Sequence, residues 1–332
     1  MQMRAGVAID LGTVNTLVWV TGRGVVVDEP SAIALDRAHG TVAEVGQGAA
    51  DLEDREPQDI EVLRPLRDGV ISDVDAATAM LRAFVRKARL HRLVLRPDAV
   101  VCVPSGATWV ERRAVAVALQ SYRPRFRVKL IEEPVAAAAG TGLDLSSKAA
   151  AFIVDIGGGT TEVAAVTGAR LVRARSLRAA GNAMDTAIMD AARSELGLIL
   201  GRDAARQLKM TLGLTGGADG SAEAVGLDAA TRAARIETVR GEFVAAALES
   251  TVTAIADSLQ ELLSDIPPGL AQDLVRGKIW LAGGGALLPG LASRIESSAG
   301  VATLVADDPL RCTIRGAAAL LEARRLGPPA SA

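Results

Sequence analysis

The sequence predicts an α/β protein built from a duplicated domain, on three observations. One short device occurs twice, with its aspartates Asp10 and Asp155 145 residues apart. Segments of helical periodicity alternate with runs of strand character. A chain of 332 residues, 49% of them hydrophobic, is long enough to bury a large core.

The first copy is Val7-Ala8-Ile9-Asp10-Leu11-Gly12-Thr13, a short buried strand that ends in an Asp and a Gly turn, followed by a second strand from Leu17 to Val20. Asp36 to Asp59 is polar and reads as a small appendage. Ala76 to Leu90 carries Met80, Leu81, Phe84, Val85 and Ala88 at helical spacing, and Thr108 with Glu111 forms a capping box for a helix over Trp109 to Gln120. Pro134 suits the first position of a helix through Val135 to Ala139. The second copy runs from Phe152 through Asp155-Ile156-Gly157-Gly158-Gly159-Thr160-Thr161 into a strand over Val163 to Val166. Thr215 to Arg240 is poor in apolar residues and is expected to be a small peripheral subdomain or a mobile loop. Val244, Leu248, Val252, Ile255, Leu259 and Leu262 form one long helical stripe that Pro267-Pro268 stops, and residues 327–332 are expected to be a frayed tail.

Composition removes several function classes. The 37 basic and 39 acidic side chains nearly cancel, and with only 3 Trp, 1 Tyr and 4 Phe there is no stacking platform for nucleic acid. Two histidines (His39, His91) and two cysteines (Cys102, Cys312) make neither a disulfide framework nor, without carboxylates, a four-ligand zinc site. No signal peptide is expected at Met1 to Gly12, and the longest nearly uncharged run, Ile279 to Ser293, is broken by glycines and Pro289 and too short to span a bilayer. A reducing cytoplasm is the expected location.

Gly12-Thr13 and Gly157-Gly158-Gly159-Thr160 would each let a turn offer several backbone N–H groups to an anion, because glycine permits a close approach that a Cβ forbids. Asp10 and Asp155 could then hold Mg²⁺ through water, since magnesium takes few carboxylates and completes its shell with phosphate oxygens and water. Taken singly, either turn is also what an ordinary tight hairpin would show. A third glycine cluster, Gly283-Gly284-Gly285-Ala286-Leu287, follows a strand and enters a helix; it suits either a ligand or close strand-to-helix packing. No G-x-x-x-x-G-K-[ST] is present and no G-x-G-x-x-G follows a first strand, which excludes a P-loop and weakens a dinucleotide fold.

Together these blocks resemble the MreB/Mbl family of bacterial actin homologues. The likeness is carried in order by Asp10 to Thr16, Arg64 to Asp73, Val103 to Ala114, Ile131 to Ala138, Asp155 to Val163, Ala282 to Leu288 and Ala306 to Leu310. The Asp-x-Gly and Gly-Gly-Gly turns belong to the whole actin, Hsp70 and sugar-kinase superfamily, whereas Val103-Pro-Ser-Gly106 and Arg64-Pro-Leu-Arg-Asp-Gly69 look specific to MreB. The resemblance implies an actin-like fold of duplicated ribonuclease H-like domains with two small inserted subdomains. By position, residues 1–31, 66–140 and 311–327 would form one large subdomain and 32–65 its insert. Residues 141–181 and 242–310 would form the other, with 182–241 inserted.

It further implies ATP and Mg²⁺ as cofactors, a slow ATPase coupled to polymerisation, and self-association into filaments at the inner face of the cell membrane that organise cell-wall elongation proteins and cell shape. Carried over by position, Gly12, Thr13, Val14 and Asn15 would form the first phosphate turn and Gly157, Gly158, Gly159, Thr160 and Thr161 the second. Glu133, with Thr160 helping, would position the attacking water; an acid at that helix start is also placed to cap the helix dipole. Gly181, Arg206 and Lys209 would flank the nucleotide, and Gly284, Gly285, Ala286 and Leu287 would line its base. The chain departs from the family at Ala180 to Ala183, where a glycine and a carboxylate are lost, and at Arg206-Gln207, which replace an acidic pair.

The near-zero net charge hides an asymmetry. Residues 76–131 hold twelve basic and two acidic side chains, a net +10 that leaves −12 on the rest. Leu93-Val94-Leu95 sits between Arg92 and Arg96. Basic residues beside an anionic leaflet contribute about 1 kcal/mol each, so this segment is an expected membrane contact; the same residues could instead lead into the Val100 to Val103 strand beside a solvated basic face. Two other functions share the residues: an ATP-dependent switch that polymerises poorly, and a small-molecule kinase, for which no motif supplies a base at a sugar pocket.

Overall fold

The computed structural model describes residues 6–53, 55, 58–90, 97–122, 126–144, 147, 149–215 and 220–326. The chain divides into two units. One comprises Met1–Lys148, Val166–Leu171 and Arg311–Ala332, and the other Ala149–Ala165 and Val172–Leu310.

The first unit opens with β1 (Gly6–Leu11), β2 (Asn15–Val20) and β3 (Gly24–Pro30), which pair antiparallel in sequence. Val7, Ile9 and Leu11 face one core and Ala8 the other, because alternate side chains of a strand point to opposite faces. With both faces covered, β1 is apolar without a break from Val7 to Ile9. The polar stretch that follows folds as β4 (Ile33–Asp36), β5 (Val42–Val45), α1 (Gln47–Glu53) and β6 (Ile60–Leu63), a three-stranded sheet in the order β5-β4-β6 with its own small core at Ala32, Ala34 and Ala49. A tight pair, β7 (Leu66–Arg67) and β8 (Val70–Ile71), leads to α2 (Val74–Lys87). That helix starts earlier than the apolar stripe predicts, because the Asp73 side chain caps it by accepting from Ala76 N at 2.9 Å.

β9 (Asp98–Val103), α3 (Trp109–Tyr122), β10 (Arg127–Glu132) and α4 (Glu133–Gly140) follow. The capping box is formed at the head of α3: Thr108 N donates to Glu111 Oε2 at 2.6 Å and Glu111 N to Thr108 Oγ1 at 3.3 Å. β9 pairs parallel with β1 and β10 parallel with β9, giving the sheet order β10-β9-β1-β2-β3.

The second unit repeats this topology. β11 (Ala151–Ile156), β12 (Thr161–Thr167) and β13 (Arg170–Leu177) are sheet neighbours in sequence, and after α5 (Gly181–Glu195), β14 (Leu198–Leu200), α6 (Arg202–Leu212), β15 (Ser221–Asp228), β16 (Ala234–Arg240), α7 (Gly241–Ser264) and α8 (Ala271–Arg276) the chain adds β17 (Ile279–Ala282), α9 (Leu291–Ala299) and β18 (Thr303–Val305). The order β13-β12-β11-β17-β18 is that of the first sheet read from its other end, with β11 parallel to β17 and β17 to β18. Asp10 and Asp155 lie on β1 and β11, the corresponding central strands. α10 (Cys312–Leu326) then returns to the first unit and packs on α4.

Within residues 215–240 the structure shows an ordered hairpin, β15 with β16, joined to β14 in a three-stranded sheet. Apolar residues lie on both of its faces. Val225 and Ile236, 63% and 65% exposed, pair on the outer face, while buried Ala224 and half-buried Ala222 and Gly226 lie on the inner one. The connecting loop is held by Asp228, whose Oδ1 accepts from Ala230 N at 3.1 Å and Thr231 N at 2.9 Å. These bonds, that from the Thr231 amide foremost, hold the carboxyl below the usual carboxylate range. A depressed folded pKa means that the loop's support is present above the unfolded carboxylate's range and lost as pH falls through the folded one. The Thr231 amide resonance is expected to titrate with a midpoint below that of an ordinary aspartate, and Asp228→Asn to abolish the titration; a midpoint at the ordinary value would remove this account of the loop.

Candidate functional site

The first glycine turn closes with a bond from Gly12 N to Asn15 O at 3.1 Å. A Cβ at Gly12 would lie 2.7 Å from that oxygen, so the turn needs glycine. The closing bond leaves the amides of Thr13 and Val14 outside the ladder. Two neighbours brace the turn. Gly69 N donates to Thr13 Oγ1 at 2.8 Å, and Ser31 reaches it three ways: its Oγ donates to Gly12 O at 2.6 Å and lies 2.8 Å from Thr16 Oγ1, while its N donates to Val14 O at 2.7 Å. Thr16 and Ser31 are fully buried. Asn15 donates to Asp28 at 3.4 Å, and Arg311 holds the other Asp28 oxygen at 2.8 Å. Ser31, Asp28 and Arg311 lie distant in sequence from the turn they support; Asp68-Gly69, with φ of 49° and 76°, is the one brace with a turn signal of its own.

Asp10 is half-buried near the end of β1. It is in register with Cys102, and Cys102 with Ile131, so Glu133 leaves the same edge of the sheet two residues later. Glu133 is half-buried in the first turn of α4, immediately before Pro134. Its neighbour Glu132 pairs with Arg112 at 3.2 Å.

The second turn has the same bond at the same spacing, Gly157 N to Thr160 O at 2.9 Å. Thr161 Oγ1 donates to Ala179 O at 2.6 Å. Asp155 is 8% exposed. The third glycine cluster lies directly against it: a Cβ at Gly283, whose φ is 76°, would stand 2.5 Å from Asp155 Oδ1, and one at Gly285 2.7 Å from Ile156 Cβ. Close packing on the end of β11 therefore accounts for Gly283 and Gly285, while a Cβ at Gly284 would meet Leu310 at 3.2 Å, Ala286 is buried and Leu287 is 54% exposed.

The head of α5 joins the same cluster. Gly181 N donates to Gly157 O at 3.1 Å and Asn182 N to Gly158 O at 2.8 Å. From α6, Lys209 Nζ lies 2.6 Å from Asp185 Oδ1 and donates to Gly181 O at 3.0 Å; Arg206 stands 3.7 Å from the other Asp185 oxygen and 3.6 Å from Asp203. Asp185 is 1% exposed, and sequence reasoning did not single it out, because one acid on an amphipathic helix carries no signal of its own. Burial pushes the Lys209 ammonium below the usual lysine range, and the Asp185 carboxylate opposes that. The second unit thus brings together Asp155, Gly157 to Thr161, Gly181, Lys209, Arg206 and Gly283 to Leu287. Leu93, Val94 and Leu95 lie outside the described residues.

The sequence matches the family model of MreB/Mbl protein over residues 4–326. The chain belongs to the MreB/Mbl family. Among curated MreB/Mbl relatives, cell shape-determining protein MreB of Escherichia coli (strain K12) is 38% identical over 322 residues, covering 95% of this chain and 92% of that one. Cell shape-determining protein Mbl of Bacillus subtilis (strain 168) is 34% identical, covering 95% of each. Among solved structures, that of MreB5 of Spiroplasma citri bound to ADP superposes with a TM-score of 0.92 at 30% identity, covering 98% of both chains. The fold is accordingly actin-like, as the duplicated topology requires.

Proposed function

We propose that this chain is an ATP-binding, actin-like filament protein that acts at the inner face of the cell membrane, where it organises cell-wall elongation proteins and cell shape. One observation carries the reading: two glycine turns with the same i to i+3 closing bond stand at the ends of corresponding central strands, each beside an aspartate. Similarity to cell shape-determining relatives and to an MreB5 crystallised with ADP and with AMPPNP supports it.

In this reading Gly12 to Asn15 and Gly157 to Thr161 cradle the phosphates through backbone amides, which suits a polyanion better than side-chain cations would. A Cβ at Gly12 or Gly157 would press on the turn's own closing carbonyl, 2.7 Å from Asn15 O and 3.2 Å from Thr160 O, so glycine at these positions preserves the turns that present the amides. Asp10 and Asp155 would hold Mg²⁺ through water. Among the described residues no group of three or more His, Cys, Asp or Glu could hold a metal, and a magnesium ion at the two aspartates would complete its shell with phosphate oxygens and water. Bound magnesium neutralises charge that develops on the phosphates. Gly181, Arg206 and Lys209 flank the nucleotide and Gly284 to Leu287 line its base. Glu133 accepts a hydrogen bond from the attacking water and orients it, with Thr160 assisting. Hydrolysis of a phosphoanhydride asks for little more than such positioning and charge stabilisation.

Glu133→Ala is expected to keep ATP affinity within a factor of about two while losing hydrolysis on the order of 100-fold. Phosphate release and light scattering with ATP and Mg²⁺ measure both turnover and assembly; full turnover in the variant would show that another group orients the water. Membrane attachment through Leu93, Val94 and Leu95 is tested separately by co-sedimentation with vesicles containing anionic lipid. Serine at all three positions is expected to abolish most binding, and undiminished binding would remove that contact from the account.

A further inference from the structure

We propose that Arg112 is a positioning residue for hydrolysis: its guanidinium ties the loop after β9 to the residue that precedes Glu133, and so fixes where the Glu133 carboxylate stands. The inference rests on the reading of Glu133 as the group that orients the attacking water. β9 and β10 end at one edge of the sheet, with Val103 in register with Glu132, so the loop over 104–108 and the head of α4 leave the sheet side by side. Arg112, in the first turn of α3, spans the two. Its Nε donates to Ala107 O at 3.1 Å and Nη2 to Ser105 O at 3.5 Å, while Nη1 donates to Glu132 Oε1 at 3.2 Å. A guanidinium can hold three such acceptors because its donors are fixed in one plane, whereas an ammonium is a point charge on a flexible stem. The loop end of this tie is itself fastened, by Ala107 N donating to Pro104 O at 3.1 Å, Arg112 N donating to Thr108 O at 3.0 Å, and the capping box of Thr108 with Glu111. The residue that gains a fixed place is therefore Glu132. It is the N-cap of α4, its side chain makes no cap bond, and one peptide bond joins it to Glu133. The side chains of Arg112 and Glu132 are 28% and 34% exposed, so water screens the pair and its value lies in placement more than in stability.

The test measures phosphate release, ATP affinity and light scattering with ATP and Mg²⁺ on the full chain and on Arg112→Met, Arg112→Lys and Glu132→Ala, and repeats Arg112→Met in the Glu133→Ala chain. Arg112→Met is expected to lower turnover about tenfold at equal scattering while ATP affinity stays within about twofold, because a misplaced water-orienting group affects the chemical step and not binding. Glu132→Ala should lose a similar factor, and Arg112→Lys, which keeps the charge without the planar fork, should recover only part of it. In the Glu133→Ala chain the residual turnover should not fall further when Arg112 becomes methionine, since the group that Arg112 places is already gone. Unchanged turnover in Arg112→Met, the same proportional loss with and without Glu133, or a loss that merely follows ATP affinity or scattering would each overturn the proposal. Should the methionine variant not fold, Glu132→Ala carries the same comparison. If the parent chain hydrolyses no ATP, or Glu133→Ala keeps full turnover, the functional reading fails, and hydrogen exchange at the Ala107 amide decides the tie. Faster exchange in Arg112→Met supports it, and unchanged exchange refutes it.

Discussion

Replacing Gly316 with alanine is expected to destabilise the protein by about 3 kcal/mol, although the same change in an exposed helix interior stabilises by about 1 kcal/mol. The sign reverses because α10 and α4 meet backbone to backbone. A Cβ at Gly316 would lie 2.5 Å from Gly140 N and press on Ala136 O, and one at Gly140 would press on Cys312 O, with Sγ of Cys312 3.0 Å away. Cys312 Sγ already donates to Ala137 O at 3.3 Å, and Ala136 and Ala317 are fully buried at the same crossing. None of these is the far end of a flexible side chain, so the two helices must separate. In the proposed function their separation also costs activity, since α4 carries Glu133 at its head. Chemical denaturation at constant m-value measures the loss, and an unchanged or raised midpoint would show that the crossing has room.

Asp155→Ala is expected to weaken binding of ATP with magnesium on the order of 100-fold, equivalent to about 3 kcal/mol. The variant should also lose the difference between magnesium and chelator expected of the parent chain. Asp155 is buried between the second glycine turn and Gly283, where its carboxylate has little freedom to be replaced by another group. A variant that still binds more tightly with magnesium would place the metal's protein contact elsewhere.

The sequence made the central strands and their turns legible because their signal is local. Val7 to Leu11 and Phe152 to Ile156 are short apolar runs that end in Asp and Gly, and both are buried on two faces. The capping box at Thr108 and the Pro134 helix start are legible for the same reason, since each is a contact within three or four residues. The bracing of the first turn was not. Ser31 and Gly69 reach Gly12 and Thr13 across 19 and 56 residues, and polar residues in loops look alike until the fold closes. The Asp185–Lys209 pair escaped for a related reason: each side chain sits on an amphipathic helix where a charge is ordinary, and only packing buries the two together. The hairpin at residues 221–240 was hidden because its large apolar residues Val225 and Ile236 face outward and its inner face is partly alanine and glycine.

Calorimetric titration of the full chain with ATP and magnesium, repeated on Gly12→Val and on Gly157→Val, tests the central proposal most directly. A single nucleotide should bind each chain, and either valine alone should abolish that binding, because both turns are read as holding the same triphosphate. Undiminished binding in either variant, or two independent nucleotides per chain, would contradict it.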